Sequence, residues 1–119
     1  MNNSDSNIVK GKPAESGNVR RFIDGSIRYS ILLRSVSIGL GTYNPGWKWS
    51  LHAGAQTGKT AENHIGYIIS GSMMVQDSTG SEMEVGPGEA FEVGPGGDAW
   101  VIGEEPCIAL DFIPIDRDR

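Results

Sequence analysis

The stretch that decides the fold runs from His64 to Gly103 and reads HIGYIISGSMMVQDSTGSEMEVGPGEAFEVGPGGDAWVIG. Short apolar segments recur in it every eight to twelve residues, and each one ends at a turn sequence. Two of these turns, Gly86-Pro87-Gly88 and Gly94-Pro95-Gly96, combine a proline that fixes φ with a glycine that permits a positive φ. The pattern predicts short antiparallel strands joined by tight turns.

The same pattern extends over the rest of the chain after about Val19. Glycine accounts for 17 of the 119 residues and disfavours a helix of ordinary length after Arg20. We read Ala55–Asn63 as a loop because Gly58 interrupts it. The fold class is therefore predicted as all-β, an antiparallel sandwich or barrel. The predicted strands are Tyr29–Ile38, Trp47–Leu51, Ile65–Ile69, Met73–Gln76, Met83–Val85, Ala90–Val93, Trp100–Ile102 and Cys107–Ile113.

Length and charge restrict the domain organisation and the partners. We predict a single domain over residues 19–115, with a mobile polar tail at residues 1–18 and a C-terminal tail at residues 116–119. The 10 Lys and Arg against 15 Asp and Glu give a net charge of −5, and the acidic side chains dominate after residue 34. An acidic domain argues against nucleic acid as a partner.

The scattered basic residues of the first 34 positions do not form a phosphate-binding stripe. We interpret Arg20, Arg21, Arg28 and Arg34 as solvated or strand-edge charges. No stretch approaches the ~18 consecutive apolar residues of a membrane span, so we expect no membrane partner and a cytoplasmic location. The lone Cys107 excludes an intrachain disulfide, and we read it as a small buried apolar residue in preference to a nucleophile.

The candidate chemistry centres on the two histidines, His52 and His64. Imidazole is the commonest metal ligand and the usual proton carrier near neutral pH, although a strand histidine can also serve only a local hydrogen bond. In a strand, His64 shares a face with Gly66 and Ile68, and the glycine leaves room beside the ring. His64 is therefore predicted to border a cavity.

The spacing of these histidines and of the glycines around them resembles the two motifs of the cupin superfamily. Gly46 and His52, and then His64 and Gly71, follow the first motif, G-x5-H-x-H-x3,4-E-x6-G. Gly88 and Gly94-Pro95-Gly96 follow the second, G-x5-P-x-G-x2-H-x3-N. The resemblance covers about Leu40 to Phe112. It implies a cupin-type double-stranded β-helix, or jelly-roll, barrel.

The resemblance also implies a divalent metal held by three His and one Glu at the mouth of the barrel, and the chain keeps only part of that set. His52 matches the first His and His64 occupies the Glu position, whereas Gly54 and Ala99 stand at the two remaining His positions. A third ligand would come from Asp98, Glu62 or Gln56. Asp98 is the best placed of the three, but an Asp after Gly-Gly is ordinary turn chemistry. We therefore expect no cofactor, or a weakly held divalent metal (Zn, Fe, Ni or Mn).

Three functions remain open at this point. The first is binding of a small molecule in the barrel mouth, with a reduced or absent metal site. The second is a metal-dependent oxygenase, isomerase or lyase that uses His52 and His64, and the third is a structural or interaction module without pocket chemistry. The residues predicted to line the pocket are His52, His64, Trp49, Trp100 and Tyr67. A homodimer is also expected, since the resemblance implies pairing through an edge strand from Val19–Ile38.

Overall fold

The computed structural model describes residues 7–58 and 60–115, and these residues fold into two antiparallel sheets. The predicted tails fall partly outside the described residues, at positions 1–6 and 116–119. The strands are β1 (Asn18–Arg21), β2 (Ile27–Leu32), β3 (Val36–Tyr43), β4 (His64–Ser70), β5 (Ser72–Gln76), β6 (Glu82–Val85), β7 (Ala90–Val93), β8 (Asp98–Ile102) and β9 (Cys107–Pro114).

The two sheets form the opposite walls of a barrel. The larger sheet has the strand order β1-β2-β3-β9-β4-β7, and the smaller has the order β6-β5-β8. All the strand pairs are antiparallel. β9 lies between β3 and β4 and therefore connects the N-terminal strands β1–β3 with β4 and β7 in one sheet. The predicted all-β fold is confirmed.

The strands after residue 63 follow the prediction closely, and β7 coincides with it. The Gly-Pro-Gly turns on either side of β7 contain the predicted positive φ, 82° at Gly88 and 84° at Gly96. Three short helical turns complete the described residues: Pro13–Glu15, Ser50–Gly54 and Ala55–Thr57.

Two of the predicted strands are wrong. Tyr29–Ile38 is not one strand but parts of β2 and β3, because the chain reverses at Arg34-Ser35 and the N–H of Leu33 donates to the carbonyl of Val36 at 2.9 Å. The predicted strand Trp47–Leu51 is reduced to a single bridge between Lys48 and Trp100.

From Ser50 the chain turns helical instead. The N–H of His52 donates to the carbonyl of Lys48 at 2.9 Å, and the N–H of Ser50 donates to the carboxylate of Asp98 at 3.0 Å. A carboxylate that accepts a free N–H at the start of a helical turn stabilises that turn. The predicted loop Ala55–Asn63 consequently begins with the helical residues Ala55–Thr57.

The core residues lie between the two sheets. Ile68 and Cys107 have no exposed surface, and Trp47, Ala53 and Met73 are each 4% exposed. Burial raises the pKa of the Cys107 thiol to about 11, which agrees with the interpretation of this residue as a packing group.

The larger sheet is also apolar on the surface that points away from the barrel interior. Residues that are directly opposite on neighbouring strands share a face, so the register defines two apolar rows across four strands. We call this surface the outer face, and its members are Tyr29, Leu40, Leu110 and Tyr67 in one row and Ile31, Ile38, Phe112 and Ile65 in the other. Within residues 7–58 and 60–115, no helix is long and apolar enough to span a membrane.

Candidate functional site

The barrel encloses a cavity of about 320 Å³, within the range typical of small-molecule sites. Both sheets and the helical turn line it, so the space belongs to the barrel interior and not to a surface groove. Its wall combines aromatic rings with a small set of charged side chains, of which Asp111 is the most buried and is paired with Arg28.

Glycines in the larger sheet open the space around Asp111. This carboxylate is 5% exposed, and it lies on β9 directly opposite Gly39 of β3 on one side and Gly66 of β4 on the other. A Cβ at Gly39 would overlap the guanidinium of Arg28, and a Cβ at Gly66 would lie 2.6 Å from the ring of Phe91. The two glycines are therefore needed for side chains from neighbouring strands to pass over them.

The guanidinium of Arg28 crosses β3 to reach Asp111. Its Nε lies 2.8 Å from Oδ2 and its Nη2 lies 2.6 Å from Oδ1, which is a bidentate ion pair. The hydrogen bonds to Asp111 raise the pKa of Arg28. The interpretation of Arg28 as a solvated or strand-edge charge is thus wrong, because the missing side chain at Gly39 lets the arginine turn inward.

Three aromatic rings form the wall beside this pair. The centroids of Tyr43 and Trp47 are 4.4 Å apart, and those of Phe22 and Trp47 are 5.6 Å apart in an edge-on arrangement. Burial, and then the nearby carboxylate of Asp111, raise the pKa of the Tyr43 hydroxyl, so this group stays protonated. The Nε1–H of Trp47 is buried and has no acceptor among the described residues.

His64 lines the cavity, as its position before Gly66 predicted. Its ring stacks on Phe91 at a centroid distance of 6.1 Å. Part of the ring remains open to solvent, but the surrounding barrel desolvates it enough to lower its pKa. At neutral pH the imidazole is uncharged and can donate one hydrogen bond and accept another.

His52 is held differently and is not among the residues that line the cavity. The N–H of Lys48 donates to its Nδ1 at 3.0 Å, and its ring stacks on Trp47 at 6.4 Å. The helical turn that begins at Ser50 gives His52 these local partners. The structure therefore separates the two histidines that the sequence placed in one pocket.

The other predicted site residues also divide between the cavity and its surroundings. Trp49 and Asp98 line the cavity, whereas Trp100 and Tyr67 do not. Trp100 lies under Lys48, with Nζ 4.9 Å from the ring centroid, and Tyr67 belongs to the outer face. Asp98 accepts N–H groups from Ser50 and from Ala99, at 3.0 and 2.9 Å. The bond from Ala99 is the local turn role considered for it, whereas the bond from Ser50, 48 positions away, is one that the sequence did not indicate.

These donors do not fit a resident metal ion. Within residues 7–58 and 60–115, no group of three or more His, Cys, Asp or Glu side chains could hold one. Gly54 and Ala99 supply no ligand atom, and Oδ1 of Asp98 already accepts the N–H groups of Ser50 and Ala99.

Sequence reasoning missed Arg20, Arg28, Tyr43 and Asp111 as lining residues. One signal was available in β9, where Asp111 follows Cys107 and Ala109 at intervals of two and so falls on the inward face of a strand. The alternation of Gly39 and Gly41 with Leu40 in β3 is a second signal, since small inward residues leave room for large neighbours.

No family model matches the chain, and no curated protein matches it. Many solved structures do match, and together with the two-sheet barrel they define the fold as that of the cupin superfamily.

KdgF from Halomonas sp. is 18% identical with a TM-score of 0.61, and the match covers 85% of this chain and 88% of that one. A cupin-superfamily protein from Silicibacter pomeroyi, described as a sugar phosphate isomerase, is 16% identical with a TM-score of 0.64, with 87% and 74% covered. An RmlC-like cupin from Shewanella frigidimarina is 17% identical with a TM-score of 0.60, with 87% and 88% covered. The predicted cupin-type barrel is confirmed.

Proposed function

We propose that this protein binds a small molecule in the barrel cavity and that its own side chains, without a resident metal ion, recognise the ligand. The observation that carries the proposal is the ion pair of Arg28 and Asp111 in the cavity wall, beside the rings of Tyr43 and Trp47. A few fixed polar groups in a largely apolar cavity are typical of small-molecule sites. One of the solved structures with this fold is described as a sugar phosphate isomerase, which supports a small-molecule ligand as the class.

The buried ion pair also argues against a module with an idle pocket. Burying two charges is costly, and an apolar pair of the same shape is often as stable or more stable. A barrel that only needed a filled interior would be served by apolar side chains at positions 28 and 111.

Binding is tested by a melting screen with a small-molecule library and two matched variants. Ile113 lies at the cavity and is 49% exposed, so Ile113→Trp narrows the cavity without disturbing the core. Met83→Trp is the control, because Met83 is 72% exposed and does not line the cavity. Compounds that raise the melting temperature of the wild type should lose their effect in Ile113→Trp and keep it in Met83→Trp. If the screen yields no compound that responds in this way, the protein is the interaction module and the proposal is wrong.

The alternative is a metal-dependent enzyme with His52 and His64 as ligands. It requires both imidazoles to reach one ion, and the contacts of His52 with Lys48 and Trp47 favour a structural role for this ring. Metal analysis of protein purified without a chelator separates the two functions. We expect less than stoichiometric Zn, Fe, Ni or Mn in the wild type; a stoichiometric metal that disappears in His64→Ala would establish the alternative.

We propose further that two copies of the chain associate through the outer face. Contiguous apolar patches larger than a few hundred Å² are rarely left exposed on monomers. Tyr67 is 39% exposed and the other members of the outer face are partly buried, while the N-terminal segment lies against its β2 end, where Gly11 is next to Ile31. A stable dimer buries about 800 Å² on each partner. This interface differs from the predicted edge-strand pairing, since it uses the face of β2, β3, β9 and β4.

A further inference from the structure

Arg20 and Arg28 are directly opposite each other on β1 and β2, and both line the barrel cavity. Like charges in direct cross-strand register destabilise a sheet unless something compensates them. The same two residues also border a second, adjoining cavity of about 250 Å³, together with Asn18 and Ser30. Open space therefore lies beside both guanidinium groups.

The one carboxylate paired with these arginines neutralises only one of them. Asp111 binds Nε and Nη2 of Arg28, and this leaves three of the five N–H groups of that guanidinium without a partner in the pair. Among the described residues, Arg20 has no ion pair. This end of the cavity thus carries two positive charges against one negative charge.

The wall also holds a donor that has no partner among the described residues. The indole Nε1–H of Trp47 is buried without an acceptor among residues 7–58 and 60–115. The carboxylate of Asp111 is engaged by Arg28. Oδ1 of Asp98 accepts backbone N–H groups, and its Oδ2 lies 3.8 Å from Nζ of Lys48. Glu62, on the segment before β4, is a further carboxylate in the lining and is exposed.

The arginines and the aromatic wall border the same space. Gly41 lies directly opposite Arg28, and a Cβ at Gly41 would overlap the ring of Tyr43. Tyr43 in turn contacts Trp47 at a centroid distance of 4.4 Å. A ligand whose charged group lies against the arginines would therefore place its body along these rings.

We infer that the ligand is a small organic anion, in which a carboxylate or phosphate lies against Arg20 and Arg28 and an apolar or aromatic body packs on Tyr43 and Trp47. This inference rests on the proposed small-molecule function and adds the chemical class. The planar fork of a guanidinium matches the oxygens of a carboxylate or phosphate, and the anion would relieve the repulsion between the two arginines.

The inference is tested with benzoate and phenyl phosphate as anionic probes and benzamide as the neutral isostere of benzoate. Calorimetric or ligand-observed NMR titrations of the full chain give the three affinities.

Arg20→Gln removes one of the two charges at an exposed position of β1, so the fold should tolerate it. Arg21→Gln is the matched control, since Arg21 is the next residue of the same strand and does not line the cavity. A charge-assisted hydrogen bond corresponds to about a 10- to 100-fold change in affinity.

We expect at least one anionic probe to bind more tightly than benzamide, and Arg20→Gln to weaken that probe about 10-fold or more while Arg21→Gln leaves it unchanged. The tighter of benzoate and phenyl phosphate identifies the head group. If benzamide binds as well as both anions and Arg20→Gln has no effect, the anionic class is wrong while small-molecule binding in the cavity stands. If none of the probes binds at millimolar concentration and the library screen with Ile113→Trp is also negative, both proposals fail.

Discussion

Arg28 and Asp111 are 83 positions apart in the chain, yet the guanidinium of one holds both carboxylate oxygens of the other across the intervening strand β3. The side chains are 21% and 7% exposed, so water screens the pair poorly. Three strands meet at this contact, and its geometry fixes the wall of the cavity.

Removing one partner should therefore destabilise the fold strongly. We expect Asp111→Ala to lower the free energy of unfolding by about 3–5 kcal/mol, because it leaves the charge of Arg28 buried and unpaired. The double variant Arg28→Met/Asp111→Leu should recover most of the loss, since it removes both charges and keeps the volume. Urea denaturation of the wild type and both variants measures this. A double variant as unstable as Asp111→Ala would mean that shape, and not charge burial, explains the loss.

Gly39 should be intolerant of even a single methyl group. The new Cβ in Gly39→Ala would overlap the guanidinium of Arg28, so we expect a loss of about 1–3 kcal/mol in the free energy of unfolding. Gly94→Ala is the control, because a Cβ at Gly94 meets nothing within 4 Å and its φ is not positive. Its effect should stay within about 0.5 kcal/mol. Equal effects of the two substitutions would contradict the steric role of Gly39.

The lowered pKa of His64 predicts a pH dependence of stability. In the unfolded chain the imidazole binds a proton near pH 6.5, whereas burial in the folded barrel lowers its pKa below that value. The unfolded state therefore binds more protons as the pH falls below about 6.5, and the folded state loses stability over that range. We expect the loss to level off once the pH falls below the folded pKa of His64.

Two measurements check this pH dependence. NMR titration of the His64 ring should give a midpoint below 6.5 in the folded protein, with the urea-unfolded chain as the reference. The variant His64→Gln should show a smaller loss of stability than the wild type between pH 7 and pH 5. A His64 midpoint above that of the unfolded chain would reverse the sign and refute the prediction.

The outer face should govern the oligomeric state. Tyr67 lies in one of its rows and is 39% exposed, so Tyr67→Lys places a charge in the proposed interface without touching the core. We expect light scattering after gel filtration to give the mass of a dimer for the wild type and that of one chain for Tyr67→Lys. Met83→Lys, on the smaller sheet, should remain dimeric. A wild type that is monomeric at tens of micromolar would rule out this interface.

Local signals explain how much of the fold the sequence could predict. The strands after residue 63 are short apolar segments ended by Gly, Pro and Asp, and their bounds follow from neighbouring residues. The misplaced segment around Ser50 depends on Asp98, which lies 48 positions away and accepts its N–H. No window of local sequence contains that contact.

The candidate site was harder to predict for the same reason. Motif spacing gave the position of His64 in the cavity wall but not the direction in which His52 points, because a helical turn replaces the expected strand there. The scattered arginines of the first 34 positions indicate surface charges, whereas the partner of Arg28 lies in β9, 83 positions away. Arg28 reaches Asp111 by passing over Gly39 of the strand between them. An ion pair of this kind can be recognised only when the order of the strands is known.

The position of β9 in the larger sheet has a consequence for biosynthesis. β9 follows all the other described strands in the chain, yet it lies between β3 and β4. Before β9 has emerged from the ribosome, the edges of β3 and β4 that pair with it are unpaired, and the charge of Arg28 lacks its partner Asp111. The larger sheet can form completely only after Asp111 has left the exit tunnel. Until β9 inserts, the apolar faces of the earlier strands remain exposed and accessible to chaperones.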